Sequence, residues 1–168
     1  YDLMTSGDGK TIFYTPFANY AEGNLDCCRE MILDENTVMG LGDGGAHVGT
    51  ISDASFITTL ITHWGRDRTR GDRIDLPTLV KNQTRDTARA VELTDRGTLE
   101  PGMRADINVI DFDNLNVRAP EIVHDLPAGG ARLQQKAQGY LSTIVAGQQT
   151  YINGEATDAL PGRLVRPR

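Results

Sequence analysis

The chain has 168 residues, of which 39% are hydrophobic and 24% are charged, and this composition is typical of a folded globular domain rather than a disordered chain. Its 17 lysines and arginines against 23 acidic residues give a formal net charge of −6, which argues against the basic surface that nucleic-acid binding requires. No apolar run reaches the length of a membrane span. We therefore expect neither a nucleic-acid partner nor a membrane partner.

The two cysteines, Cys27 and Cys28, are adjacent in the sequence and predict no disulfide framework. We therefore expect a reduced, cytoplasmic protein without a signal peptide. Both cysteines fall on a predicted helix, and packing in the core is their expected role.

The first part of the chain predicts alternating strands and helices. Residues 1–4 read as the end of a helix that residues 6–9 stop, so we expect the chain to be the end of a longer protein or a piece of one. A β-branched and aromatic strand is predicted over 11–16, and a helix over 24–33 is capped by its first residue, an asparagine. The short apolar run at 38–41 predicts a second strand. This βαβ order indicates a parallel sheet covered by helices.

Asp43 follows the second predicted strand directly, and two glycines come after it. In folds with parallel strands the catalytic groups lie at the carboxyl ends of the strands, so this carboxylate is a candidate for an active site. Gly44 and Gly45 would let the backbone turn sharply beside it. An ordinary surface turn is the alternative, since Asp-Gly-Gly builds turns readily.

A helix is predicted next, with apolar residues at helical spacing over 56–64 and Ser52 or Asp53 as its cap. His63 lies off the apolar stripe of this helix, and we expect it at the surface or as a cap. The following residues, 66–73, hold four arginines and two aspartates, which favours a solvated loop. A clamp for an anionic substrate is the alternative, because arginine binds carboxylates through two hydrogen bonds.

The last half of the chain changes from helices to strands. Two helices are predicted over 76–83, with a proline in the first turn, and over 84–93. Glycines and prolines follow, and we place a domain boundary near residue 98. Asn153-Gly154 is a strong signal for a tight turn. Strands are predicted over 106–112, 141–145 and 149–152.

Three segments carry a resemblance to a known family. GLGDGGAHVGT, residues 40–50, resembles the last barrel strand of the amidohydrolase superfamily, and specifically of its N-acyl-D-amino-acid deacylase (D-aminoacylase-like) branch. DRGTLEPGMRADINVID, residues 95–111, is similar to the segment in which these enzymes leave the barrel and enter a small β-sandwich. IVAGQQTYINGEATDALPGRLVR, residues 144–166, resembles the closing strands of that branch. The three segments occur in the order expected of the family.

The resemblance implies an α/β fold: residues 1–97 as the last strands and helices of a (β/α)8 barrel, and residues 98–168 as part of a β-sandwich. It implies a divalent metal, commonly zinc, in one or two copies, with most ligands outside this chain. Asp43 matches the aspartate that binds metal and serves as general base when metal-bound water attacks an amide. Both a metal and a carboxylate are chemically reasonable in this reaction, because the metal activates water while the leaving nitrogen still needs a proton from the carboxylate.

The chain also departs from the pattern of the family. The His-x-His pair of the first barrel strand is absent, and none of the three histidines has metal-ligand spacing. The loop after Asp43 lacks the arginine with which D-aminoacylases hold the substrate carboxylate. Asn19, Tyr20 and His47 remain as candidates for binding substrate, because their loops follow predicted strands. For His47 the alternatives are metal ligation and ordering of its loop.

Two functions follow as hypotheses from these observations. The first is the carboxyl-terminal part of a metal-dependent amidohydrolase, inactive by itself, whose partners are a small amide substrate, the remainder of the barrel chain and possible further copies in a homo-oligomer. The second is a non-catalytic structural or dimerisation module, in which Asp43 orders a turn and open strand edges promote association.

Overall fold

The computed structural model describes residues 1–15, 18–40, 42–45 and 47–166. Pro16 and Leu41, which close the two strands predicted in the first part of the chain, lie outside these residues, as does Ala46. Two compact units divide the chain, Tyr1–Thr37 and Val38–Arg168. The boundary expected near residue 98 falls within the second unit and stays a prediction about the family's domains.

The first unit contains two helices. Helix α1, Asp2–Thr5, ends at Ser6, whose backbone is extended, so the predicted stop is confirmed. Helix α2, Asp26–Leu33, confirms the second predicted helix. Its N-cap position is Leu25, one residue later than the predicted cap at Asn24, and the side-chain oxygen of Asn24 accepts a hydrogen bond from the backbone N–H of Asp26 at 2.9 Å. The chain is therefore turned into the helix by the asparagine that the sequence singled out.

The cysteines on α2 do not occupy a core. Cys27 is exposed and Cys28 is half-buried, and both are free thiols. Core packing of Cys27 is therefore a wrong prediction. Burial, with a smaller contribution from the Cys27 thiol, raises the pKa of Cys28, so this side chain behaves as a small neutral group rather than as a reactive thiolate.

The strands predicted over 11–16 and 38–41 are not formed at residues 11–15 and 38–40. All strands of the described residues lie between 107 and 156, and they pair with one another. A strand of a parallel sheet is held by hydrogen bonds to its neighbours, and no described strand pairs with these segments. The predicted βαβ unit is therefore wrong for the described residues, and the barrel itself stays a prediction.

The helical part of the second unit begins with a 3₁₀ turn, Asp53–Ser55, that leads into α3, Phe56–Thr62. A π-helical turn, His63–Asp67, continues α3. Helix α4, Leu76–Gln83, has the predicted bounds with proline in its first turn, and the Asp75 carboxylate caps it by accepting the N–H of Thr78 at 3.0 Å. Helix α5, Arg85–Ala90, is shorter than its prediction of 84–93.

Antiparallel strands form the rest of the second unit, as three sheets. A four-stranded sheet has the order β1-β6-β7-β8, and the pairs β2-β5 and β3-β4 stand apart from it. In chain order the strands are β1 Ile107–Ile110, β2 Asn116–Val117, β3 Glu121–Leu126, β4 Gly130–Gln134, β5 Ala137–Gln138, β6 Tyr140–Val145, β7 Gln148–Ile152 and β8 Glu155–Ala156.

The strands predicted over 141–145 and 149–152 and the tight turn predicted after them are confirmed. Strands β6 and β7 pair antiparallel, with Val145 opposite Gln148. Asn153 and Gly154 both have positive φ, 50° and 84°, as a two-residue hairpin turn into β8 requires. Helices therefore precede strands in a mixed α/β unit, while the β-sandwich stays a prediction.

The core of the second unit lies around α3 and α4, where the buried residues are concentrated. Thr58 on α3 is buried, and its hydroxyl shares a 2.8 Å hydrogen bond with the hydroxyl of Tyr140 on β6. This bond satisfies a buried polar group and ties helix to sheet. The loop that precedes α3 therefore leads into a helix that is hydrogen-bonded to the sheet. Among the described residues, the buried apolar ones are Leu60, Ile61, Trp64, Ile74, Leu79, Ala88 and Leu115.

Membrane crossing was not expected from the sequence. Among the residues that the structure describes, no helix combines the length and the apolar character needed to cross a bilayer.

Candidate functional site

Asp43 lies in a loop of the second unit that leads from residue 40 towards α3. Its side chain is exposed, and its backbone N–H donates to a carboxylate oxygen of Asp53 at 3.1 Å. The predicted role of Ser52 or Asp53 as a side-chain cap is wrong, because neither the 3₁₀ turn nor α3 has a side-chain cap. The Asp53 carboxylate is instead bonded to the Asp43 backbone, and the Asp43 carboxylate stands in solvent.

The glycines before and after Asp43, Gly42 and Gly44, allow its loop to lie close to the 3₁₀ turn and the first residue of α3. A Cβ at Gly42 would lie 2.9 Å from a ring carbon of Phe56, and a Cβ at Gly44 would lie 2.7 Å from the Cβ of Ala54. Real side chains do not tolerate such distances without a shift of the neighbouring atoms. Glycine is therefore required at both positions by packing, which is a different reason from the sharp turn expected of Gly44.

His47 begins the turn that follows. Its φ of 44° is uncommon for a residue other than glycine, and its carbonyl accepts hydrogen bonds from the backbone N–H groups of Thr50, at 2.7 Å, and Ile51, at 3.2 Å. The next residue, Val48, accepts the N–H of Leu133 on β4 at 2.6 Å. The loop is thus ordered by the backbone of His47. Its exposed imidazole keeps substrate or metal binding as a prediction.

Asn19 and Tyr20 lie in the first unit. Asn19 has a φ of 63°, and its carbonyl accepts from the Cys27 thiol at 3.8 Å. Tyr20 is 43% exposed, and its carbonyl accepts the N–H of Gly23 at 2.9 Å. Both residues therefore belong to a compact turn that leads into α2. Their share in a substrate pocket stays a prediction.

The donor groups for a metal ion are incomplete in the part of the chain that the structure describes. No group of three or more histidine, cysteine, aspartate or glutamate side chains is close enough there to hold an ion. Asp43 offers one carboxylate, and Asp53, ten residues away, already accepts a backbone N–H. A protein metal site normally takes three or four ligands from side chains. These residues therefore do not by themselves fit a resident divalent metal.

The arginine-rich segment 66–73 is less solvated than expected. Arg66 donates to the Asp67 carboxylate at 2.7 Å and to the carbonyl of Phe112 at 2.6 Å. Arg68 is 5% exposed and lies over the ring of Trp64, at 4.7 Å from its centroid. The prediction of a solvated loop is wrong for these two residues. They also do not fit the alternative of an anion clamp, because they already serve as contacts between helix and sheet or within the core.

His63 is half-buried, so the predicted surface position is wrong, while the predicted cap is confirmed, because His63 is the C-cap residue of α3. Its ring meets Trp64 edge-on, at 4.9 Å between centroids, and its Nε2 is buried without a hydrogen-bond partner among the described residues. Burial lowers the pKa of His63 below 6.5, the positive charge of Arg68 lowers it further, and Asp67 opposes both. The structure therefore favours the neutral imidazole.

We expect this histidine to make stability depend on pH. The folded state lowers the pKa of His63. Its contribution to the free energy of unfolding is therefore complete above pH 6.5, and it is lost as the pH falls from there through the pKa of His63 in the folded state. Urea midpoints at pH 8 and pH 5.5 measure the loss. The difference should shrink in His63→Gln and persist in His124→Gln, since His124 is exposed. An equal difference in all three proteins would assign the pH dependence to other groups.

The chain is similar to one family of known proteins. The family model described as "Amidohydrolase family" matches residues 15–151. The match covers well over half of the chain and includes Asp43, Asp53 and His47. No solved structure matches the chain.

Proposed function

The chain belongs to the amidohydrolase family, and from that premise we propose that it is the carboxyl-terminal part of a metal-dependent hydrolase that cleaves a carbon–nitrogen amide bond. The proposed substrate is an N-acyl amino acid or a similar small amide, as in the D-aminoacylase-like branch that three segments of the sequence resemble. Its proposed setting is the cytoplasm, and the proposed partners are the remaining barrel strands and possible further copies of the chain.

The observation that supports this proposal is the exposed carboxylate of Asp43 on a hydrogen-bonded backbone. Its carboxylate is exposed and its backbone is fixed by the hydrogen bond to Asp53, which suits a group that must meet a reactant in one orientation. In the proposed reaction this carboxylate removes a proton from the attacking water as the new carbon–oxygen bond forms. It then returns the proton to the nitrogen as the carbon–nitrogen bond breaks.

A divalent metal, commonly zinc, would make water acidic and polarise the amide carbonyl. Asp43 is proposed as one ligand, and since the described residues supply no complete site, the proposal requires further ligands from other residues. Asn19, Tyr20 and His47 are proposed to contact the substrate. Exposure of Tyr20 and His47 leaves both side chains accessible, which supports this assignment.

The test uses the complete polypeptide that contains this chain. N-acetyl amino acids of both stereochemistries are supplied, release of free amine is measured, and bound metal is determined by elemental analysis. We expect turnover that disappears on chelation and returns when zinc is added. A protein that neither binds metal nor releases amine from any of these substrates would contradict the proposal.

A dimerisation module is the second candidate function. Exposed leucines in the last segment favour it, because Leu160 is 92% exposed and Leu164 is 79% exposed, and burial of these side chains by a partner would lower the free energy of the assembly. In that case sedimentation should show association that depends on concentration, together with an absence of turnover.

A further inference from the structure

We propose that Asp53 is a positioning residue for Asp43, so that the carboxylate in the 3₁₀ turn before α3 sets the orientation of the carboxylate that performs the chemistry. This inference rests on the proposed function of Asp43. It adds a residue for which the sequence predicted only a helix cap.

The contact that carries the inference is direct. The backbone N–H of Asp43 donates to Oδ2 of Asp53 at 3.1 Å. A hydrogen bond to an ionised acceptor is stronger than one between neutral groups, and it restrains the backbone from which the Asp43 side chain projects. Asp53 is not needed for capping, because no side-chain cap is present at this helix start.

Asp53 itself is well anchored. Its carbonyl accepts the N–H of Phe56 within the 3₁₀ turn, and at the end of that turn the Ser55 hydroxyl donates to the side-chain oxygen of Gln135. The amide nitrogen of Gln135 donates in turn to the carbonyl of Arg118 at 3.0 Å. The acceptor for Asp43 therefore belongs to a turn that is bonded to the strand-containing part of the unit rather than to a free loop.

The packing of the loop supports the same conclusion. Gly42 approaches Asp53 and Phe56, and Gly44 approaches Ala54, so closely that neither position has room for a Cβ. Asp43, between them, is exposed. With both neighbours held against the turn, the intervening side chain is directed to solvent. Hydrogen bond and packing thus act together on one residue.

Replacement of Asp53 tests the hydrogen bond. In the complete polypeptide we expect Asp53→Ala to lower kcat by about 10- to 100-fold with KM little changed, because a displacement of about 1 Å can cost that much in rate. Asp53→Asn should recover most of kcat, since its amide oxygen still accepts the Asp43 N–H. Equal losses of kcat in both variants, or wild-type kcat in Asp53→Ala, would overturn the proposal.

Replacement of the glycines provides a matched pair that leaves Asp53 intact. A methyl group at Gly44 would lie 2.7 Å from the Cβ of Ala54, whereas one at Gly40 would have no atom of the described residues within 4 Å. We expect Gly44→Ala to lower kcat and Gly40→Ala to leave it unchanged. Equal activity of the two variants would contradict the role of packing.

Amide hydrogen exchange separates this proposal from the proposed function. Loss of the Asp53 carboxylate should increase exchange at the Asp43 N–H in Asp53→Ala and not in Asp53→Asn, whether or not the protein turns over substrate. If this pattern appears but Asp43→Asn retains full turnover, the catalytic role of Asp43 fails and the structural link stands. Unchanged exchange in Asp53→Ala would overturn the link itself.

Discussion

Asp43→Asn should lower kcat for amide hydrolysis by at least about a hundredfold, because general acid–base catalysis contributes roughly 10²- to 10⁴-fold. Asparagine retains the size of the side chain and an oxygen acceptor, but it cannot take a proton from water or return it to the leaving nitrogen. The Asp43 side chain is exposed, so we expect the thermal midpoint to remain near that of the wild type. Amine release under saturating substrate measures kcat, and elemental analysis measures the metal.

The matched control for this variant is Asp158→Asn. Asp158 is likewise an exposed aspartate, but it lies in the segment after β8 and has no part in the proposed chemistry. We expect wild-type turnover and metal content in this control. If Asp43→Asn also retains both, the assignment of base and metal ligand to Asp43 is refuted.

Leu79→Ala should produce the largest loss of stability, about 2–5 kcal/mol in the free energy of unfolding. Leu79 on α4 is completely buried, and its methyl group lies 3.0 Å from the position that a Cβ on Gly65 would take. The side chain therefore fills the space between α4 and the π-helical turn. Alanine would leave a cavity there that rigid neighbours cannot close fully.

Urea unfolding followed by circular dichroism measures this loss, with Leu99→Ala as the control. Leu99 is 76% exposed, so the same chemical change should alter the free energy of unfolding by no more than about 0.5 kcal/mol. A similar loss in both variants would mean that α4 is not packed as the structure shows.

Local signals in the sequence were sufficient for several elements. Proline in the first turn marked α4, and its predicted bounds, 76–83, are those of the structure. Asn153-Gly154 marked the turn before β8, because both residues accept positive φ without large steric cost. The resemblance of three segments identified the superfamily, which the family match confirms. In each case the information lies within a few neighbouring residues or in a colinear motif.

Contacts between distant residues could not be foreseen in the same way. The arginines of residues 66–73 were expected in solvent, yet Arg66 bonds to the carbonyl of Phe112, 46 residues away. The apolar run at 38–41 was expected to form a strand, but a strand also needs a partner, and no described strand pairs with residues 38–40. Composition reveals neither kind of partner.

At the candidate site, too, the sequence predicted the local features and the fold decided the contacts between distant residues. By itself the sequence determined that Asp43 is a carboxylate followed by two glycines, and the family motif supplied its expected chemistry. Only the tertiary structure decided that Asp53 bonds to the Asp43 backbone rather than capping its own helix, and that Gly42 and Gly44 pack against that helix. The physical reason is that a carboxylate accepts from whichever N–H the folded chain brings within about 3 Å, and that proximity is a property of the packed chain.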